Sequence, residues 1–177
     1  MTKNRLTILL GILILLFFIY QYNKSKIVYK ELLIKGDKAI AKIHPMGSNL
    51  IFDYTVNGRI FTHKVSKPFD GLQEGEYYEV IYKRSNPDES EILFSNPIIM
   101  NIKEYDSTNT ISIRDISLNP AVVFTYQING QEFERYQIPM DKQAINEAKS
   151  YLVRYLIKNP KVAYIIFDQK PRTGASL

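Results

Sequence analysis

Two histidines, 18 carboxylates and no cysteine are the side chains from which chemistry could be built in this chain of 177 residues. The absence of cysteine excludes a thiolate nucleophile, a disulfide framework and any thiolate-ligated metal or cluster. His44 precedes Pro45 and reads as a solvated loop residue. His63 falls on a strand opposite Phe52 and reads as a rim residue rather than a general base, because Arg135 takes its place in the second half of the chain. Asp88, Glu89 and Glu91 beside Asn86 are oxygen donors of the kind calcium takes. A solvated hairpin tip gives the same pattern, and Lys161, Val162 and Ala163 stand at the equivalent place further on. Ser66 and Ser90 have no base spaced to activate them. No phosphate-cradling glycine loop, nucleophile elbow or zinc-binding helix motif occurs. The expectation is a protein with no catalytic residue, no metal and no cofactor.

Aromatic supply is skewed, with 13 tyrosines and no tryptophan. Tyr54, Tyr82, Tyr126 and Tyr155 fall on the parity assigned to the core below. Tyr77 and Tyr136 fall on the other parity, where they are candidate contacts for a protein or glycan partner, or cover for a junction between two domains.

These residues must be positioned by a chain with a marked division. From Leu6 to Asn23, between Arg5 and Lys24, 18 residues carry no charge, and their centre reads LTILLGILILLFFIY. At 1.5 Å per residue such a helix spans about 27 Å, close to a bilayer's hydrocarbon thickness. The segment is expected to cross the lipid bilayer through residues 6–23 as an uncleaved signal-anchor. The exit Tyr20-Gln21-Tyr22-Asn23-Lys24 offers no small-x-small cleavage site, and its tyrosines suit the interface. A short basic leader favours export of the chain beyond the apolar run. The helix is expected to continue through IVYKELLIK and to stop at Gly36 in a left-handed cap.

The net charge of +5 does not indicate a nucleic-acid partner. Lys3, Arg5, Lys24 and Lys26 flank the apolar run, whereas residues 27–100 hold 9 basic and 10 acidic side chains and residues 101–177 hold 10 and 8. Charge placed beside the run favours an anionic bilayer surface.

The remainder of the chain repeats itself. LIFDYTVNGRIF, from Leu50 to Phe61, aligns on VVFTYQINGQEF, from Val122 to Phe133, at an offset of 72, and Tyr78, Val80, Tyr82, Asn86, Pro87, Ile92 and Phe94 recur at an offset of 73. Two copies of one domain are expected, at 36–100 and 101–177, after a helix and stalk over 1–35. Asn57-Gly58 and Asn129-Gly130 stand between alternating apolar runs, the signature of a two-residue type I′ hairpin. That loop sets Val56 against Arg59, Tyr54 against Phe61 and Phe52 against His63, with Leu50, Phe52, Tyr54, Val56, Phe61 and Val65 on one buried face. Lys38–Ile43 precedes the hairpin as a strand, matched by Thr110–Asp115. Tyr78–Lys83 and Ser90–Phe94 follow it, joined through a turn at Asn86-Pro87. Five strands in about 70 residues are expected to curl into a small barrel. In the second copy DKQAINEAKSYL has helical spacing and Asp141 as N-cap, predicting a short helix. Cores this small are marginal alone, so the copies are expected to pack together.

The run from Gly75 through Val80 and Tyr82 to Asn86-Pro87, preceded by the Tyr54-x-Val56-x-Gly58 hairpin, resembles the bacterial domain-of-unknown-function family of small β domains attached to membrane helices. The resemblance covers most of residues 36–167 in both copies. It implies a membrane-tethered β module and supplies no catalytic residue. The fold class expected is therefore mainly β, a transmembrane helix followed by two tandem five-stranded antiparallel barrel-like domains. The function expected is a non-enzymatic, membrane-anchored interaction or assembly module of the cell envelope. A small ligand- or lipid-binding barrel, and a hydrolase with an unrecognised site, are the alternatives.

Overall fold

The computed structural model describes residues 3–116, 120–141 and 145–167, with side chains from Leu10 onward except that of Ser25. Among the described residues one helix, α1 (Lys3–Lys35), precedes ten strands. The first five are β1 (Asp37–Met46), β2 (Asn49–Val56), β3 (Arg59–Ser66), β4 (Tyr77–Lys83) and β5 (Asn86–Pro97). A 3-10 turn (Ile102–Glu104) leads into β6 (Tyr105–Asp115), β7 (Val122–Ile128), β8 (Gln131–Gln137), β9 (Leu152–Leu156) and β10 (Asn159–Ile166). The chain divides into two compact units, Met1–Asp37 with Ile81–Glu91, and Lys38–Val80 with Ile92–Leu177.

Leucine, isoleucine and lysine without an internal proline make α1 continuous over 33 residues. Its apolar side chains lie on every side, and those of the central run are exposed, from Leu13 (62%) and Leu15 (60%) to Phe18 (64%). Among the described residues no helix is long and apolar enough to cross a membrane, so the transmembrane expectation for residues 6–23 is not met there. From Leu10, where described side chains begin, the uncharged stretch to Asn23 spans about 21 Å, and Tyr20 to Asn23 are its polar end.

Gly36 ends α1, its N–H donating to the Leu32 carbonyl at 2.8 Å, yet its backbone is not left-handed as the sequence led us to expect. Glycine supplies room here. A Cβ at this position would lie 2.5 Å from the Leu32 carbonyl oxygen and 3.2 Å from that of Tyr82. Gly36→Ala is therefore expected to force a backbone shift and cost roughly 1–3 kcal/mol, seen as a lowered thermal midpoint with unchanged strand content by circular dichroism.

Two five-stranded antiparallel sheets, each curved as a half-barrel, run β3-β2-β1-β4-β5 and β8-β7-β6-β9-β10. The orders are identical once β6 to β10 are matched to β1 to β5, so the repeat in the sequence is a repeat in topology. Both hairpins have the expected turn, with positive φ at Asn57 (51°), Gly58 (78°), Asn129 (50°) and Gly130 (83°). The register follows, Tyr54 facing Phe61 and Phe52 facing His63 in one copy, Tyr126 facing Phe133 and Phe124 facing Arg135 in the other. Leu50, Phe52, Tyr54 and Phe61 are buried, as are Val122, Phe124 and Tyr126. Asp53, Thr62 and Lys64 point to the opposite face.

Several local expectations are corrected. Asn86-Pro87 and Asn159-Pro160 do not form the turns but begin β5 and β10, the turns being Arg84-Ser85 and Ile157-Lys158. Both strands are sheet edges, where a proline's missing N–H costs no ladder bond. The first strands match at an offset of 70, not 72, since Ile43 faces Phe52 and Ile113 faces Phe124. The register of β6 slips between Thr110 and Ser112 and leaves Ile111 as an exposed bulge. No helix forms over 141–152 among the described residues, residues 142–144 lying outside them. There the Tyr151 hydroxyl accepts from the Asn146 N–H at 2.8 Å and Asn146 Oδ1 accepts from the Ala148 N–H at 3.0 Å. These side-chain bonds compete with a helical ladder. His44 lies in β1, not in a loop.

The second sheet brings its outer strands together through one side chain. Gln137 on β8 donates from Nε2 to the Ile165 carbonyl at 3.2 Å and accepts the Ile165 N–H at Oε1 at 2.7 Å. This buried amide replaces a backbone partner for β10, a role that Val65, at the equivalent position in the first copy, cannot take.

Candidate functional site

The chemistry-bearing side chains gather in two places within the second compact unit. One is exposed. His44 Nδ1 lies 2.6 Å from Glu74 Oε1 and its Nε2 lies 3.1 Å from Asp53 Oδ2, while Asp53 also accepts from Thr62 Oγ1 at 2.6 Å. Adjacent strands β1 and β2, in register with His44 against Ile51, bring histidine and aspartate together. A carboxylate thus stands against each ring nitrogen. His63 is stacked on Phe52 with ring centroids 5.3 Å apart and lies 3.5 Å from the Tyr54 hydroxyl, half-buried at the rim.

The other is buried and joins the two copies. Arg135 enters from β8 of the second copy and is 2% exposed, and Glu76, just before β4 of the first, is 1% exposed. Arg135 Nη2 donates to Glu76 Oε1 at 2.5 Å, Arg135 Nη1 donates to the Gly71 carbonyl, and the Tyr78 hydroxyl donates to Glu76 Oε2 at 2.9 Å. Backbone bonds hold the glutamate in place, with Ile43 N–H donating to the Glu76 carbonyl at 2.9 Å and Gly75 N–H to the Ile43 carbonyl at 3.1 Å. Gly71 and Gly75 adopt φ of +83° and +80°, so the segment between them needs glycine to present the Gly71 carbonyl and the Glu76 carboxylate to one guanidinium. Tyr78 and Tyr164 meet edge to face across the junction at 6.5 Å, and Tyr164 stacks on Tyr105 at the same distance. Among the described residues Arg135 Nε and the Tyr164 hydroxyl are buried without a hydrogen-bond partner.

Burial pushes the Glu76 carboxyl upward, opposed by the charge of Arg135 and the bonds from Tyr78 and Arg135. For Arg135, burial is the largest influence and works against the cation, but the Glu76 carboxylate together with Tyr78, Tyr164 and Tyr126 pushes the guanidinium upward and holds it charged. The tyrosines around the pair resist ionisation. Burial drives Tyr78 and Tyr164 well above the usual phenol range, Glu76 adding to it, and burial first and then Glu76 push Tyr105 up to about 12. Burial likewise pushes Tyr126 up to about 12, its hydroxyl donating to the Pro160 carbonyl at 2.5 Å. Phenols whose folded values exceed the free value of 10.0 stabilise the fold fully below it, and that contribution is lost as pH rises through about 12. A spectrophotometric titration is therefore expected to show a late tyrosinate step coinciding with loss of near-ultraviolet circular dichroism. A single early step for every tyrosine would contradict this.

Arg135 and Glu76 were not singled out as site residues by spacing, although a charge on the buried parity of β8, between Phe133 and Gln137, was the signal available. Tyr77 and Tyr136 are half-buried and sit on different strands, β4 and β8. Tyr136 Cδ2 lies 3.7 Å from the place a Cβ on Gly71 would occupy, which puts it at the junction of the copies. Ser66 is exposed, and Ser90 Oγ is enclosed with no partner among the described residues. Glu89 is held by Lys83 at 2.9 Å and Asn86 at 3.0 Å, and among the described residues no group of three His, Asp or Glu side chains is placed to hold a metal ion. Comparison with models of protein families, with curated proteins and with solved structures finds no match to this chain.

Proposed function

We propose that the protein is a non-enzymatic, membrane-anchored interaction or assembly module, with α1 as a single-pass anchor and the two β copies displayed outside the membrane. The observation that carries the anchor is the circumference of α1: Leu10, Ile12, Leu13, Ile14, Leu15 and Leu16 are successive or nearly so, and every one is about half exposed or more. A helix apolar all round needs an apolar surrounding, and the protein leaves these faces uncovered. Added to Leu6, Ile8 and Leu9 of the same helix, they complete the 18-residue uncharged run.

The buried Arg135–Glu76 pair, within the second compact unit, penalises separation of the residues it joins because either partner left alone would be an uncompensated charge. A barrel that takes a ligand inside would need an open interior, and here Phe52, Tyr54, Phe124 and Tyr126 fill those positions. Tyr77 and Tyr136 remain the partner contacts assigned to this reading, and the kinship with small β domains on membrane helices belongs to it as well.

Orientation is tested with the cysteine-free background. Ser107 is exposed on β6, so Ser107→Cys places one thiol on the β body. Labelling by an impermeant thiol reagent on intact cells or spheroplasts is the result expected for export. Protection until lysis would overturn it.

A further inference from the structure

The two copies differ at one edge of their sheets. In the second, the Gln137 side-chain amide bridges β8 to Ile165 of β10. In the first, Val65 stands at the equivalent place and offers no such bridge, and among the described residues β2 is the only strand hydrogen-bonded to β3. The Asn57-Gly58 hairpin closes on Val56 and Arg59, so every second residue after Arg59, namely Phe61, His63 and Val65, turns its backbone groups to β2. The bond from the Lys67 N–H to the Ser48 carbonyl at 3.1 Å continues that alternation. Ile60, Thr62 and Lys64 therefore turn their N–H and C=O groups to the open side, and all three are exposed, Ile60 at 67%. The same strand carries cations without carboxylates. Lys64 projects from the outer face, and Arg59 and Lys67 stand at the two ends on the other parity. Among the described residues none of the three makes an ion pair, and the Arg59 guanidinium lies over the Phe61 ring at 4.9 Å. The carboxylate nearest in register, Asp53 opposite Thr62, is already held by His44 and by the Thr62 hydroxyl.

We propose that β3 is a strand-addition site for an extended, acidic segment of a partner protein, which lengthens the first sheet by pairing its backbone with Ile60, Thr62 and Lys64 and sets carboxylates against Lys64 and Arg59. The inference deepens the interaction-module reading above and rests on it. Ladder bonds supply affinity with little regard to sequence, and the side chains beside them select the partner. A lysine on an edge strand discourages indiscriminate pairing, and a carboxylate opposite it lifts that penalty. A second copy presenting its own β3 would bring cation against cation, so the edge is built for a strand of the other charge.

The test uses the full chain held in detergent and short threonine-rich extended peptides: one bearing glutamates, one with lysine in place of each glutamate, and one bearing glutamates with its backbone nitrogens methylated. Binding is read by amide shifts and hydrogen exchange over residues 60–64. The glutamate peptide is expected to shift Ile60, Thr62 and Lys64 saturably and to slow exchange of their amides, while those of Phe61 and His63, already bonded to β2, keep their rates. Its affinity should exceed that of the lysine peptide about tenfold, and the order should reverse in Lys64→Glu, a surface change that leaves circular dichroism unaltered. The methylated peptide should not bind. Equal binding of the glutamate and lysine peptides, binding that survives methylation, or no shift at β3 with any peptide would each overturn the site. Slowed exchange at the same amides in the chain alone as its concentration rises would assign the edge to a second copy and overturn it too. Each of these failures leaves flotation with vesicles unchanged, whereas a chain that does not float overturns the anchor and leaves the peptide titration to decide the edge by itself.

Discussion

Arg135→Met is expected to destabilise the protein by about 3–5 kcal/mol, the largest single-residue effect in the β body, because it leaves the Glu76 carboxylate buried without its cation. The midpoint of urea unfolding should fall and the slope should hold, since the surface exposed on unfolding is unchanged. Part of the loss should return in the double variant Arg135→Met with Glu76→Gln, whose neutral amide removes the stranded charge. That recovery separates an ion-pair effect from simple loss of packing, and a double variant that sums the two single losses would contradict the pairing. Glu76→Gln alone should also be costly, as Arg135 Nη2 and the Tyr78 hydroxyl both bond to the carboxylate.

Leu15→Lys carries the second large effect and acts on the membrane rather than on the fold. Leu15 is 60% exposed near the middle of the apolar run. A lysine there should disfavour insertion by about 3–4 kcal/mol, a hundredfold or more in partition. The β sheets, built from other residues, should keep their circular dichroism. Sedimentation of the variant with vesicles, compared with the parent chain at equal lipid, reads the change, and undiminished association would contradict the anchor.

The hairpins were the most legible part of the sequence because Asn-Gly fixes turn, register and buried face together. Residues 57–58 and 129–130 have the expected backbone and every cross-strand partner follows. Proline was read as a turn former when it opens an edge strand, since local propensity does not say which strand lies at a sheet's margin. Helical spacing over 141–152 was real but met side-chain bonds from Asn146 and Tyr151 that hold a turn instead. Gly36 was correctly placed at the helix end and misread in mechanism, because a requirement for space depends on carbonyls, including that of Tyr82, that sequence does not bring near.

The candidate site was the least legible, and for a physical reason. Arg135 and His63 occupy the same position in their copies, yet one is enclosed against Glu76 and the other sits at a rim. The difference lies in what the other copy places opposite. Duplication is visible as repeated residues, but the junction between duplicates is made where they differ, and Glu76 is recognised as its partner only once the glycine-bounded segment 71–75 is folded against β1.

Whether the rod is an anchor is decided most directly by floating the full chain with phosphatidylcholine vesicles through a density gradient at low and at molar salt. Co-flotation that persists at high salt, where surface electrostatic attraction is screened, is the result expected of a helix held in hydrocarbon. Protein left in the dense fraction at both salts, or released by salt alone, would contradict it.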